Sequence, residues 1–302
     1  MLPGCLYARQ TEISTSRCTP GRRHRRLGTL PLTPSEGFPY TPFMAEPIRI
    51  TWAPESEVSQ EAEEQSVLQR WIEHSGGRLE LLELPLTPEL YLNPELEDKM
   101  VQGEWHDVTC HEISGLLRHH FRPQPDVRVF HDLKHLLRQD LPAPSPDVSV
   151  VFGIRDRELR TSFDIEKEGL RPSLIIEVVS PLSARVRRTD LEDKVTLYQR
   201  VGIREYLIAD TTRRSKRYQL LGYRLSPLGR YQPIEPDTQG RFLSETTGVW
   251  LQVTPAGDQI HLFDAATGQR LLNLAEQEER AIEAEAEIAR LRAEIERLRA
   301  ER

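Results

Sequence analysis

Cysteine is scarce in this chain of 302 residues, and the three present, Cys5, Cys18 and Cys110, form no CxxC pair. An odd and scattered set argues against a disulfide framework, so a reducing cytoplasm is the expected setting. Also missing is any apolar run approaching the roughly 20 residues that span a bilayer. The N-terminus lacks the continuous apolar stretch of a secretory signal, and no membrane partner is expected. Positive net charge is absent too: 40 Lys and Arg against 47 Asp and Glu leave −7. That balance does not advertise nucleic-acid binding, yet an enzyme acting on DNA needs only a local basic surface. What is present is 38% hydrophobic and 29% charged residues, enough apolar material for one sizeable domain with polar appendages.

Residues 1–43 are rich in Pro, Ser, Thr and Gly, carry the basic cluster GRRHRR at 21–26, and show no periodicity. Two readings stand: a disordered basic tail, or sequence upstream of a natural start at Met44. The domain proper is expected over 44–270. Within it, Ile113, Leu116, Leu117 and Phe121 recur at the spacing of a helix, while VRVFHDLKHLL (127–137) is ambiguous. PDVSVVFGI (146–154) and SLIIEVVS (173–180) read as strands, separated by a polar surface excursion. Thr189 and Glu192 stand in the S/T-x-x-E spacing of a capping box, which predicts a helix N-terminus. Leu191, Val195 and Tyr198 follow at helical spacing, and Gly202 offers a left-handed exit. REYLIAD (204–210) is then a further strand. Strand, helix and strand in that order predict an α/β (α+β) domain with a crossover helix packed on one face of the sheet. Residues 217–265 read as β-rich.

The segment 271–302 differs. Leu274, Ala281, Ile288 and Ile295 fall every seven residues, with Gln277, Ala284, Leu291 and Leu298 at the offset position. Such a/d heptads predict a coiled-coil helix that pairs with a second copy. The competing reading is a lone solvated helix.

Glu177 stands inside the apolar run Leu174–Ser180. A buried carboxylate needs a cation, a hydrogen-bond network or a proton. Asp147 opens the other strand. If the two strands are neighbours, about 4.8 Å apart, both carboxylates can converge on one hard cation such as Mg²⁺. Lys194 on the following helix could orient or deprotonate a water attacking a phosphate. Tyr198 lies one turn further on the same face.

The segments SPDVSVVFG and PSLIIEVVSPLSARVRRTDLEDKVTLYQRVGIREYLIAD resemble the Uma-two family, a restriction-endonuclease branch of the PD-(D/E)XK nuclease superfamily. The likeness is densest over 146–210 and extends loosely from LPLTPELYL to LFDAATGQRLL, about 190 residues. It implies a restriction-endonuclease-like mixed β-sheet core flanked by helices, with a C-terminal coiled coil. It also implies an endonuclease that uses Mg²⁺, with Mn²⁺ as a substitute, to hydrolyse DNA. Asp147 and Glu177 would be the metal ligands. The superfamily lysine, usually two residues after the acid, is replaced here by Val179, and its role passes to Lys194. Asp190 and Tyr198 also match family positions. Asp190 could equally sit in a first helical turn favoured by the helix dipole.

Arg185, Arg187 and Arg188 could clamp phosphates beside this site, as could Arg213, Arg214, Lys216 and Arg217, or these could be solvated loops. His111 and Glu112 on the first helix could reach the metal. The histidines at 106, 111, 119, 120, 131 and 135 match no familiar zinc spacing. Two functions follow: a metal-dependent DNA endonuclease working as a homodimer, or a non-catalytic nucleic-acid-binding or assembly protein that keeps the fold and recruits partners through its coiled coil.

Overall fold

The computed structural model describes residues 67–100, 103–179, 184–211 and 217–301. The expected basic tail, the start at Met44, and Arg213, Arg214 and Lys216 lie outside the described residues.

An antiparallel hairpin, β1 (Val67–His74) and β2 (Arg78–Pro85), takes β3 (Asp98–Met100) on its other side. Between them lies the short helix α1 (Pro88–Leu92), capped by the Thr87 hydroxyl. The long helix α2 (Glu104–His120) follows. Next come β4 (Val127–His131), β5 (Lys134–Leu136), β6 (Val148–Phe152), β7 (Ser162–Asp164), the one-turn α3 (Ile165–Glu168) and β8 (Leu174–Val178). The ambiguous segment 127–137 therefore makes two strands, turning at Asp132 with φ 47°. The polar excursion carries β7 and α3, with β7 parallel to β5.

After β8 the chain is helical as α4 (Ala184–Arg188), a π turn (Thr189–Asp193) and α5 (Lys194–Val201). This overturns the predicted capping box. Thr189 is already preceded by helical residues, so its amide is no orphan, and Glu192 pairs with Arg188 at 2.9 Å instead. The exit is as expected: Gly202 has φ 85° and donates its N–H to the carbonyls of Tyr198 and Gln199. The remaining elements are β9 (Glu205–Thr211), β10 (Tyr218–Leu225), β11 (Tyr231–Pro233), β12 (Phe242–Ser244), β13 (Val249–Val253), β14 (Ile260–Asp264) and α6 (Leu274–Ala300).

Six strands form the central sheet in the order β11-β10-β9-β8-β6-β4. β8 and β9 are parallel, as a crossover helix between them requires, and the other neighbours are antiparallel. Every residue of β8 and β9 is buried, which is why both read as continuous apolar runs rather than alternating ones. Alternation sorts their side chains onto two faces. Ile176, Val178 and Leu207 pack with Ile113 and Leu117 of α2 and with the β13–β14 strands. Ile175, Tyr206 and Ile208 pack with Leu191, Leu197 and Tyr198. Each buried aliphatic side chain contributes roughly 1.5–3 kcal/mol, and together they hold α2 and α5 on opposite faces. The end of β8 lies between those helices.

Candidate active site

The register pairs Val148 with Ile176, so the next pair outward sets Asp147 opposite Glu177. Their contacts are reciprocal. The Val178 amide donates to Asp147 Oδ2 at 2.7 Å, and the Asp147 amide approaches Glu177 Oε2 at 3.4 Å. Each carboxylate is thus held by the other's strand. Exposure is 5% for Asp147 and 0% for Glu177.

The helix beyond β8 supplies the cation. Lys194 Nζ lies 3.0 Å from Glu177 Oε1 and 2.8 Å from Asp190 Oδ1. It also stands 4.2 Å from the centre of the Tyr91 ring, a favourable position for a cation. Tyr198 donates its hydroxyl to Glu177 Oε1 at 2.9 Å, and Tyr91 donates to Asp190 at 3.0 Å. Asp190 is therefore no first-turn residue. The π turn swings it inward, and Tyr206 fixes its carbonyl at 2.9 Å.

Electrostatics follow from three buried carboxylates around one ammonium. Burial, then the charges of Asp147 and Asp190, push the Glu177 carboxyl up to about 8 against the pull of Lys194. Asp190 is raised as well, chiefly by burial. Asp147 moves the other way, because His106, Lys194 and the Val178 amide outweigh its burial. Burial alone would lower Lys194, but Asp190, Glu177 and Asp147 hold it above its ordinary value. It is a firm cation. At the turn after β4, desolvation and the nearby Asp147 charge push the Asp132 carboxyl up to about 6.

Asp147, Glu177, Lys194, Tyr198 and Asp190 are brought together; the other expected residues are not. His111 and Glu112 lie on the exposed side of α2, because they stand one and two positions past Cys110 and are carried round from the face that meets Asp147. That face presents His106, with Nε2 at 3.2 Å from Asp147 Oδ2. Arg187 is taken up by Asp210, at 2.6 Å, and Arg188 by Glu192. The Arg185 side chain lies outside the description. Arg217 donates to the Pro255 carbonyl. Tyr91 and His106 were missed as site residues. For His106 a signal existed in its one-turn spacing from Cys110, whereas Tyr91 arrives from 99 residues away and leaves no local trace.

Divalent metal fits this constellation on its charge and donors. Among the described residues, the hydrogen bonds to the Asp147 carboxylate fall on Oδ2, leaving Oδ1 for a cation, and Glu177 Oε2 has only the long contact from the Asp147 amide. Oxygen donors with surplus negative charge suit a hard ion.

A mixed sheet between helices, with acids and a lysine gathered at one strand end, defines a restriction-endonuclease-like α/β protein. Comparison with family models then identifies the lineage. The chain belongs to the Uma2 family, described as "Putative restriction endonuclease", whose model matches residues 78–286. Among solved structures, "a putative nuclease" from Anabaena variabilis matches at 18% identity and a TM-score of 0.35, covering 57% of this chain and 79% of that one. No curated protein matches the sequence. No helix among the described residues is long and apolar enough to cross a membrane.

Proposed function

We propose that the protein is a Mg²⁺-dependent DNA endonuclease that hydrolyses phosphodiester bonds, with Mn²⁺ able to substitute. The observation that supports this best is the cross-strand pair Asp147 and Glu177 with the Lys194 ammonium 3.0 Å from Glu177. Asp147 and Glu177 would hold the ion, which when bound lowers the pKa of a coordinated water and offsets charge on the phosphorane-like transition state. Lys194, held cationic by its two carboxylates, orients the water or the scissile phosphate rather than abstracting a proton. Tyr198 and Tyr91 fix Glu177 and Asp190, and through them the lysine. Cutting two strands suits a pair of active sites. The heptad face of α6, with Ile288, Leu291, Ile295 and Leu298 each about half exposed, supports a homodimer.

The test is plasmid DNA, beside an RNA substrate, incubated with Mg²⁺ or Mn²⁺ and with the wild type, Asp147→Asn or Lys194→Ala. Metal-dependent nicking is expected from the wild type, falling by about 10²-fold or more in each variant. Cleavage surviving both substitutions overturns the site. A wild type that binds DNA yet cuts nothing favours the non-catalytic binding reading.

A further inference from the structure

On its α2 side, Asp147 meets a second set of donors, of different chemistry from the oxygen pair. His106 and Cys110 stand one turn apart on α2 and share a face. Both are buried, at 7% and 1% exposure. His106 Nε2 is 3.2 Å from Asp147 Oδ2, and Cys110 Sγ is 3.6 and 3.7 Å from the two ring nitrogens. One nitrogen, one sulfur and one carboxylate oxygen thus lie within 4.8 Å of one another.

We propose that His106, Cys110 and Asp147 form a site for a thiophilic divalent metal ion of the zinc class. Soft sulfur and borderline imidazole select such an ion over magnesium, which takes oxygen. Two of the three separations also suit it. A tetrahedral ion with Zn–N and Zn–O near 2.1 Å and Zn–S near 2.3 Å sets its ligand atoms about 3.4–3.6 Å apart. The observed 3.2 and 3.7 Å lie within a few tenths of that. The sulfur is nearly equidistant from both ring nitrogens, so ligation requires the imidazole to rotate about Cβ–Cγ. A water in the fourth position would complete the tetrahedron. Binding displaces protons: burial and the surrounding carboxylates push the Cys110 thiol up, so the ion exchanges for that proton, which leaves to solvent. Core packing accounts for a buried cysteine, but not for an imidazole and a carboxylate converging beside it.

Asp147 belongs to both donor sets, offering Oδ2 to zinc and Oδ1 to magnesium, so a zinc ion on the shared carboxylate draws off its charge and repels the second dication. On the endonuclease reading above, on which this consequence rests, zinc is an inhibitor that competes through Asp147. The test uses Co²⁺ as the probe, added to the purified full-length protein without DNA, and reads the thiolate-to-cobalt charge-transfer absorption. The band is expected in the wild type and in Glu177→Gln, and lost in Cys110→Ser and His106→Gln. Thermal melts establish that each variant is folded, with Cys110→Ala in reserve. No band in the wild type, or a band that persists without the Cys110 thiol and so comes from Cys5 or Cys18, overturns the site. In the cleavage assay, the zinc concentration that halves activity should rise by an order of magnitude in Cys110→Ser. A protein that shows the Cys110-dependent band yet cuts no substrate keeps the metal site and loses the nuclease reading.

Discussion

At the scale of single residues, the site is a problem of uncompensated charge. Removing Lys194 while keeping its volume, as in Lys194→Met, leaves Glu177 and Asp190 facing each other without a cation. Breaking one side of a buried ion pair costs about 3–5 kcal/mol. The loss should depend on pH in a defined direction. Both carboxyls are already raised, and without the lysine they rise further. A raised carboxyl contributes stability below its unfolded value that is lost as pH climbs through its folded value. The deficit relative to wild type should therefore be larger near about pH 8 than near about pH 5. Thermal melts at both values check it, and an equal deficit refutes the charge account.

His135 behaves oppositely. It is fully buried between the Ser149 hydroxyl and the Leu133 carbonyl, and burial pushes it down to about 4. Its unfolded value is near 6.5, so protonation favours the unfolded chain. Stability should be unaffected above about pH 6.5, fall by about 3 kcal/mol as pH drops toward 4, and lose nothing more to this group below that. His135→Gln should flatten that decline in urea titrations across the acid range. The candidate site residues most legible in the sequence are those out of keeping with their surroundings. Glu177 was conspicuous in an apolar strand, and Asp147 and Lys194 followed from its need for partners. Tyr91 is not legible, because its partner is fixed only by tertiary packing, and His106 leaves only its one-turn spacing from Cys110 as a signal.

At the scale of elements, β8, β9 and the end of α5 could be read directly from apolar runs and Gly202. The π turn could not. An S/T-x-x-E spacing caps a helix only where the preceding residue is not helical, and here Arg188 is. The extra residue in that turn carries Asp190 inward to Lys194, in keeping with the frequent placement of such bulges at functional sites. Gly222 in β10 shows another hidden constraint. A Cβ there would stand 2.6 Å from Leu207 Cδ2 and 3.2 Å from Ile234 Cδ1. Gly222→Ala should cost about 1–3 kcal/mol by overpacking. Urea unfolding should show a lower midpoint at unchanged slope; an unchanged midpoint would mean that the neighbours give way freely. Glu205, at the start of β9, takes donors from Arg224, Ser244, Glu245 and Thr246. It is a joint between the central sheet and the β12 strand.

For the whole molecule, the open question is association. α6 begins with a capping box between Asn273 and Glu276 and buries none of its residues. Its apolar positions lie in heptad register, which is the basis of the proposed pairing with a second copy. Sedimentation should show a dimer for the full chain and a monomer for Leu291→Lys combined with Ile295→Lys, with unfolding of the sheet domain unchanged. A monomeric wild type at micromolar concentration would sink the pairing.

The reciprocal lacing of Asp147 and Glu177 also bears on how the chain reaches its native state. Their contacts close over 30 and 31 residues, whereas Tyr91 meets Asp190 across 99. Collapse that forms the sheet before α5 and α1 dock would bury carboxylates with no ammonium or hydroxyl to receive them. Such half-made states carry a heavy desolvation penalty, so they are thinly populated. The buried charge cluster thereby sharpens folding cooperativity, by making incomplete versions of this protein unfavourable.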